Sequence, residues 1–232
     1  MITLIGVGHV FDISKNLENE IIRCNPQVVC VELDPARYQA LYSKEKGQDM
    51  PFIYMMLARF QEKIAKKYGT EVGSEMLTAV ETAKTINAKL AFIDKDASKI
   101  ISEFWNKMTF KERAKLIFAL VTSVFVRKKR IEKELEKFEE NDEFYMESFG
   151  KEFPTAKTIL IDDRNVYMAE SIIKLNEKYD DIVAVIGDGH VEGIKRLLQT
   201  PDVETIRLSQ LRSPQPQNVD EVTISYQVEY NP

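Results

Sequence analysis

The sequence predicts an α/β protein with a mainly parallel central sheet. Short apolar runs alternate with segments of helical periodicity through most of the 232 residues, which is the pattern of strands and helices in such sheets. Two of the apolar runs end in the same Gly-x-Gly-His-Val unit. We therefore expect paired G-x-x-H elements at strand ends, and a long helical insertion between the third and fourth strands.

The composition narrows the class of protein. Hydrophobic residues are 44% and charged residues 30% of the chain, and the formal net charge is -5, which suits a globular domain and not a basic nucleic-acid binder. Cys24 and Cys30 are too few for a disulfide framework or a cysteine zinc site. The N-terminus lacks the features of a signal peptide, and the apolar segment 116–126 is shorter than the roughly 18 residues that cross a bilayer. We expect a cytoplasmic location.

The first half of the chain contains three predicted strands, each a short and mostly apolar run. They lie at 2–7, 28–33 and 89–93. The predicted helices lie at 14–24, 35–46, 51–68 and 72–87. Asp34 before Pro35 is a predicted N-cap, and Asp96 is placed to cap the helix that begins at Ala97.

The second half begins with the helical insertion. Thr109 and Glu112 form a predicted capping box for a helix over 109–140. Its basic and acidic runs are typical of a solvated helix surface, or of an arm used for dimerisation or membrane contact. Further helices are predicted at 154–179 and 191–199, and strands at 182–186, 203–208 and 222–228. We expect one domain over 1–212, with the insertion at 97–153, and a linker with an edge strand at 213–232.

The two histidines of the chain occupy the same local sequence. The segments 4–10 (LIGVGHV) and 185–191 (VIGDGHV) share isoleucine, both glycines, histidine and valine. Glycine permits a sharp exit from a strand, so each histidine stands where its strand leaves the sheet. Because ligands of such sheets bind at the carboxyl ends of strands, we expect His9 and His190 to share one site.

Carboxylates follow two further strands. Glu32 comes after four apolar residues, and Asp94 ends the third strand in the same manner. A buried glutamate must be paired or ligated, so Glu32 either forms a salt bridge, to Arg37 or Arg164, or belongs to the site of the histidines. Two imidazoles and a carboxylate suit a divalent metal such as zinc, manganese or cobalt, with a position left open for water.

Two other polar positions fall within predicted helices. The segment 162–165 (DDRN) is either an exposed turn, or the place where Arg164 points inward to hold a carboxylate or polarise a carbonyl oxygen. Glu75 lies beside the apolar face of its helix, and is either a surface residue or a member of the site.

Together these motifs resemble the TraB/PrgY family, and its archaeal members in particular. The N-terminal G-x-G-H-V is followed in order by V-x-V-E-L-D-x-x-R from Val29, G-x-E-M-x-x-A from Gly73, I-D-x-D from Ile93, D-R-N-x-x-M-A from Asp163 and V-I-G-x-G-H-V-x-G-I from Val185. Each motif alone is weak, but the ordered set is specific.

The resemblance implies a compact α/β fold whose halves each contribute one G-x-x-H element. It relates the chain to Tiki-type metalloproteases, which are peptidases that depend on manganese or cobalt, and more distantly to haem-binding ChaN-like proteins. His9 and His190 match the paired histidines, and Glu32 and Arg164 match the other polar site residues. The family is named for shutting down a peptide pheromone, which implies a peptide substrate or ligand. Many archaeal relatives continue into a C-terminal membrane region, so membrane association is expected only of a longer chain.

Two functions are consistent with these residues. The first is a metal-dependent hydrolase, most directly a peptidase, and the second is a module that binds a peptide or haem without cleaving it. The candidate metal ligands are His9, His190, Glu32 and Asp94. The candidate catalytic residues are Glu32, Arg164 and Glu75. Glu32 is a third ligand or the general base, Asp94 is a further ligand or the partner of one, and Arg164 stabilises an oxyanion. A homodimer through the 109–140 helix is compatible with either function, and no nucleic-acid partner is expected.

Overall fold

The computed structural model describes residues 1–8, 13–43, 73–123 and 142–212. The strands are β1 (Ile2–Val7), β2 (Val28–Val31), β3 (Lys89–Phe92), β4 (Ile182–Gly187) and β5 (Val203–Ile206). The helices are α1 (Ser14–Cys24), α2 (Pro35–Ser43), α3 (Ser74–Thr85), α4 (Ala97–Lys107), α5 (Phe110–Ser123), α6 (Asp142–Glu152), α7 (Pro154–Lys157), α8 (Asp163–Asn176), α9 (Val191–Leu198) and α10 (Leu208–Arg212). His9, the predicted helix 51–68, the charged stretch 124–141 and the predicted strand 222–228 lie outside the described residues.

The described strands form one parallel sheet. Their order is β3-β2-β4-β1-β5, and every pairing between neighbours is parallel. β1 and β4 are buried along nearly their whole length, whereas β3 begins at an exposed Lys89 and lies at an edge. Continuous apolar strands are those that helices cover on both faces. The predicted α/β class and its parallel sheet are therefore confirmed.

The repeated Gly-x-Gly-His-Val units lie on adjacent strands, offset by one residue. Ile5 corresponds to Ile186 in the repeat, but it pairs with Val185 in the sheet. Because side chains alternate between the two faces of a strand, this offset sends equivalent residues to opposite faces. Ile5 packs on the face that α1 covers, and Ile186 on the face that α9 covers. β1 and β4 thus send the chain to opposite sides of the sheet, the arrangement that opens a crevice at strand ends.

Apolar helix faces cover the sheet on both sides. On one side, α1 and α3 contribute Leu17, Ile21, Met76, Val80 and Ala83. On the other, α8 and α9 contribute Met168, Ala169, Ile172, Val191 and Ile194. All of these side chains are at most 2% exposed. At about 25 cal/mol per Å² of apolar surface, these two layers are the main source of stability of the fold.

The predicted helix caps at the ends of β2 and β3 are confirmed. Asp34 Oδ1 accepts hydrogen bonds from the amides of Ala36 and Arg37, at 2.9 and 3.0 Å. Asp96 Oδ1 accepts from Ser98 and Lys99 in the same way. Each carboxylate satisfies amides that the first turn of a helix leaves without a partner.

The capping box at the start of α5 is also present. Glu112 accepts the amide of Thr109 at 2.9 Å, and Thr109 Oγ1 accepts the amide of Glu112 at 3.2 Å. Glu112 is 5% exposed, and its other oxygen accepts the amide of Thr155 at 3.0 Å. One side chain therefore caps α5 and ties it to the start of α7, beside a small apolar cluster that includes Phe104 and Ile159.

Several predicted elements differ from the observed ones at their ends, and two of these differences bear on the site. The predicted helix 154–179 is α7 and α8 with a π-helical turn, Thr158–Asp162, between them. A π turn holds an extra residue and so rotates the next helix about its axis, an event that apolar periodicity alone does not reveal. The predicted strand 203–208 ends at Ile206, because Leu208 begins α10. Among the described residues, no helix has the length and apolar character needed to cross a membrane.

Candidate functional site

Polar side chains from three neighbouring strand ends meet at the carboxyl edge of the sheet. Glu32 follows β2, Asp94 follows β3 and His190 follows β4, and these strands are adjacent in the order β3-β2-β4. All three residues are at most 9% exposed. The sheet order therefore brings together residues that lie far apart in sequence, and a fourth residue, Arg164 at the start of α8, lies among them.

The guanidinium of Arg164 is the centre of this cluster. Its Nε and Nη2 donate to the two carboxylate oxygens of Asp94, at 2.9 and 2.8 Å, and Nη2 also donates to Glu32 Oε1. Its Nη1 donates to the carbonyl of Leu160 and to His190 Nε2, both at 3.2 Å. An arginine has five N–H donors and no acceptor, so every donor of Arg164 has a partner here. Arg164 is 13% exposed and points inward, as one of the two predictions for this segment had it.

Glu32 is held as a carboxylate. Its Oε2 accepts the amide of Gly187 at 2.6 Å, while Oε1 faces Arg164. Burial raises the pKa of Glu32, but the charge that His190 carries when it is protonated at low pH, the charge of Arg164 and the Gly187 amide outweigh burial and lower that pKa from 4.5 to about 2. The salt-bridge prediction for Glu32 is met by Arg164. A second predicted role, in the site itself, is compatible with it, because Oε1 also lies 3.6 Å from His190 Nε2.

His190 is a neutral imidazole of defined tautomer. Burial lowers its pKa, and Arg164 adds to this effect, while Glu32 opposes it. Because Arg164 only donates, the Nε2 atom that faces it must be the acceptor, and the ring proton is then on Nδ1. Nδ1 lies 2.6 Å from Asn165 Oδ1, which accepts that proton. His190 thus presents the lone pair of Nε2 towards Glu32 and Arg164.

Asn165 is the site residue that sequence reasoning missed. It is 5% exposed and lies on the buried stripe of α8 with Met168, Ala169 and Ile172. A polar residue at a core position of a helical stripe needs a partner, and this signal was present in the sequence. The π turn before α8 sets the rotation at which Arg164 and Asn165 both face the sheet edge.

A second ion pair holds the segment that leads to His190. Asp188 accepts Arg207 Nε and Nη2 at 2.9 and 2.7 Å, and also accepts the amide of Leu208 at 2.9 Å. A Cβ on Gly6 would overlap Asp188 Oδ1, so a glycine is required where β1 passes this carboxylate. The glycine and aspartate of the two repeated units thus contact each other across β1 and β4, and they position the turn before His190.

Glu75 and His9 are the two remaining predicted site residues. Glu75 is 3% exposed at the start of α3, and the hydroxyl of Ser74 lies 3.5 Å from its carboxylate. The surface alternative for Glu75 is wrong, and its catalytic role stays a prediction. His9 lies outside the described residues, so its distance from His190 stays a prediction as well.

The described donors suit part of a metal site. Two carboxylates and one guanidinium leave the buried cluster with one net negative charge, which favours a cation. His190 Nε2 and Glu32 Oε1 lie 3.6 Å apart, close to the roughly 3.4 Å between two tetrahedral zinc ligands at about 2.1 Å each. Both oxygens of Asp94 are engaged by Arg164. Within the described ranges, no group of three or more His, Cys, Asp or Glu side chains is arranged to hold a metal, so a site here needs a further ligand.

Comparison with known proteins gives a family and a relative. The model of the TraB/PrgY/gumN family matches residues 1–207. An uncharacterized protein of Methanocaldococcus jannaschii is 33% identical over 211 residues, a match that covers 85% of this chain. The same match covers 53% of the relative, so the chain spans about half the length of that protein.

Proposed function

The chain belongs to the TraB/PrgY/gumN family, and on that premise we propose that it is a metal-dependent hydrolase that cleaves peptide bonds. The observation that carries the proposal is the pairing of His190 Nε2, whose lone pair is unprotonated, with an ionised Glu32 at 3.6 Å in a buried cluster of net negative charge. Neutral imidazole and carboxylate are the donor types of hydrolytic zinc, manganese and cobalt sites.

The proposed ligands come from three strands. His190 and Glu32 supply two donors, and His9, which the repeated motif places after β1, supplies the third. A divalent cation held there would polarise the scissile carbonyl and lower the pKa of a bound water. If Glu32 is instead the general base, it takes a proton from that water through Oε1 while Oε2 keeps the Gly187 amide.

Arg164 has two tasks in this proposal. Its paired contacts to Asp94 anchor the guanidinium, since a bidentate arginine–carboxylate pair is geometrically rigid. Its Nη1 contact to His190 Nε2 is the one that ligation of that nitrogen would replace. The N–H released in this way is the group we assign to stabilising the oxyanion of the substrate.

Metal-stripped protein tests the proposal. We expect cleavage in a peptide library, read by mass spectrometry, to appear on addition of Mn²⁺, Co²⁺ or Zn²⁺. His190→Ala and Glu32→Gln should each lower the rate at least about 100-fold, because a ligand or base is lost. Glu18→Gln, at an exposed position on α1, is the matched control and should keep the full rate. A His190→Ala variant with unchanged cleavage would contradict the mechanism.

A second function is favoured by a specific observation. Among the described residues, no three metal-ligating side chains are grouped to hold a metal, and Arg164 already contacts the Nε2 atom of His190. The alternative function is therefore that the same crevice binds a peptide without cleaving it. Haem is the poorer ligand, because His190 is 5% exposed and its Nε2 faces Arg164. One-to-one binding of a peptide, measured by calorimetry, together with no cleavage under any added metal would support this function. A Soret band on titration with haem would instead favour haem over a peptide as the ligand.

We also propose a homodimer through the predicted 109–140 helix. Its described part begins with Phe110, whose side chain is 86% exposed in the first turn of α5. Aromatic residues, phenylalanine included, are enriched in protein interfaces. Light scattering of wild type and of Phe110→Ser tests this contact. The same molar mass for both proteins would oppose it.

A cytoplasmic location is the proposal for this domain. Both cysteines are free thiols, and burial raises the pKa of Cys30 to about 12, which keeps that thiol protonated and unreactive. Free thiols are usual in reducing compartments. Fractionation of the native cells tests this.

A further inference from the structure

Asn165 and His190 form a buried pair that none of the motif arguments used. We infer that Asn165 is a positioning residue, which fixes the plane and the tautomer of His190 so that Nε2 keeps a lone pair facing the site. Asn165 Oδ1 lies 2.6 Å from His190 Nδ1, and both residues are 5% exposed. The inference deepens the proposed function, and it depends on that function only for its consequence at a metal.

The direction of this hydrogen bond follows from Arg164. If the amide of Asn165 were turned, Nδ2 would donate to Nδ1, and the ring proton would move to Nε2. That N–H would then face an arginine N–H at 3.2 Å, with two donors opposed in a buried site. Arg164 therefore selects the tautomer from one side of the ring, and Asn165 Oδ1 accepts the resulting proton on the other.

Gly193 holds the amide of Asn165 in place. A Cβ on Gly193 would overlap Asn165 Nδ2 and lie 3.0 Å from its Cγ. Glycine in the first turn of α9 thus leaves the space that the amide fills between α8 and α9. One end of the amide fills this space and the other reaches His190, and the donors of Arg164 decide that the end at His190 is Oδ1.

The tautomer decides what His190 can do. With the proton on Nδ1, Nε2 can ligate a metal or accept a proton, whereas the other tautomer offers neither on that side of the ring. Histidine ligands in proteins commonly donate their second ring N–H in this manner, and loss of the acceptor costs about 10–100-fold in metal affinity.

Selective ¹⁵N labelling of histidine measures the tautomer directly. The chain has two histidines, so His9→Gln assigns the signals, and ring nitrogens with and without a proton differ widely in ¹⁵N shift. We expect wild type, free of metal and substrate, to show a protonated Nδ1 and an unprotonated Nε2, the reverse of the preference of free histidine. Asn165→Leu, of similar size, should lower the tautomer ratio about tenfold, which is the worth of one buried hydrogen bond. Asn165→Asp keeps an acceptor oxygen and should keep the ratio, measured at about pH 8.5, well above the ordinary imidazole pKa of about 6.5.

Each outcome decides the inference. A protonated Nε2 in wild type, or an unchanged ratio in Asn165→Leu, overturns it. If Asn165→Leu does not fold, Asn165→Asp decides alone, because a protonated Nε2 there would also overturn it. Titration with Co²⁺, followed by its visible absorption, is the second readout, and Asn165→Leu should bind about 10–100-fold more weakly than wild type. Wild type that binds no Co²⁺ would refute the proposed metal site and leave the tautomer result standing.

Discussion

Glu32→Gln is the variant that most directly tests the charge balance of the cluster. Glutamine keeps the size of the side chain and an oxygen for the Gly187 amide, but it removes the negative charge that faces Arg164. The folded-state pKa of Glu32, about 2, lies below its ordinary value of 4.5. Ionised Glu32 therefore stabilises the fold fully above about pH 4.5, and this contribution is lost as the pH falls towards about 2.

The size of the effect follows from the same two values. At 1.36 kcal/mol per pH unit, the change from 4.5 to about 2 corresponds to about 3 kcal/mol at neutral pH. Mutations that remove one partner of a buried ion pair usually cost about 3–5 kcal/mol, which agrees with the value obtained from the pKa of Glu32. For a domain of this size, about 3 kcal/mol lowers Tm by about 6–12 °C.

Urea unfolding of wild type and Glu32→Gln over a series of pH values is the assay. The difference in free energy of unfolding should be about 3 kcal/mol at pH 7 and shrink to about half of that near pH 3, because Glu32 of the unfolded wild-type chain becomes protonated below about pH 4.5 while folded Glu32 stays ionised. Exposed Glu18, changed to glutamine, is the control and should show no such convergence. A difference between Glu32→Gln and wild type that stays constant from pH 7 to pH 3 would refute the reasoning.

Three further predictions concern stability at neutral pH, each measured by urea unfolding. Arg164→Lys should lose about 2–4 kcal/mol, because lysine cannot donate bidentately to a carboxylate, and a loss below about 0.5 kcal/mol would contradict the geometry. Gly193→Ala should destabilise by about 1–3 kcal/mol, since its Cβ overlaps a buried amide, whereas Gly150→Ala, whose Cβ meets a flexible lysine side chain, should be neutral or stabilising by up to about 1 kcal/mol. Equal effects at both glycines would oppose this account. Glu112→Ala should lower the free energy of unfolding by about 1–2 kcal/mol, because the capping box is lost. An unchanged free energy of unfolding would show that the capping box does not stabilise the fold.

Much of the fold was readable from local pattern. Helix α1 spans the predicted residues, and each of the strands β1 to β5 begins at its predicted residue. Apolar runs and N-caps are local signals, so a single sequence carries them. The π turn before α8 was not predicted, because the segments on either side of it each keep helical spacing, and only the phase between the two segments shifts.

The site was predicted in part. Glu32, Asp94 and His190 were placed at strand ends by the sequence, and Arg164 was given two alternatives, of which the inward one is correct. Asn165 was not selected, although its position on the buried stripe of α8 could have identified it. The roles of these residues at a metal stay predictions.

The sequence by itself determined the alternation of strands and helices, and it put polar residues where three strands end. Only the tertiary structure decided that those ends are neighbours, because strand order depends on pairings between residues far apart in sequence, such as Val28 with Lys89 and with Ile182. That order, β3-β2-β4, allows one guanidinium to contact Asp94, Glu32 and His190 together. The tautomer of His190 is a consequence of that convergence, since an arginine on one side of the ring can only donate.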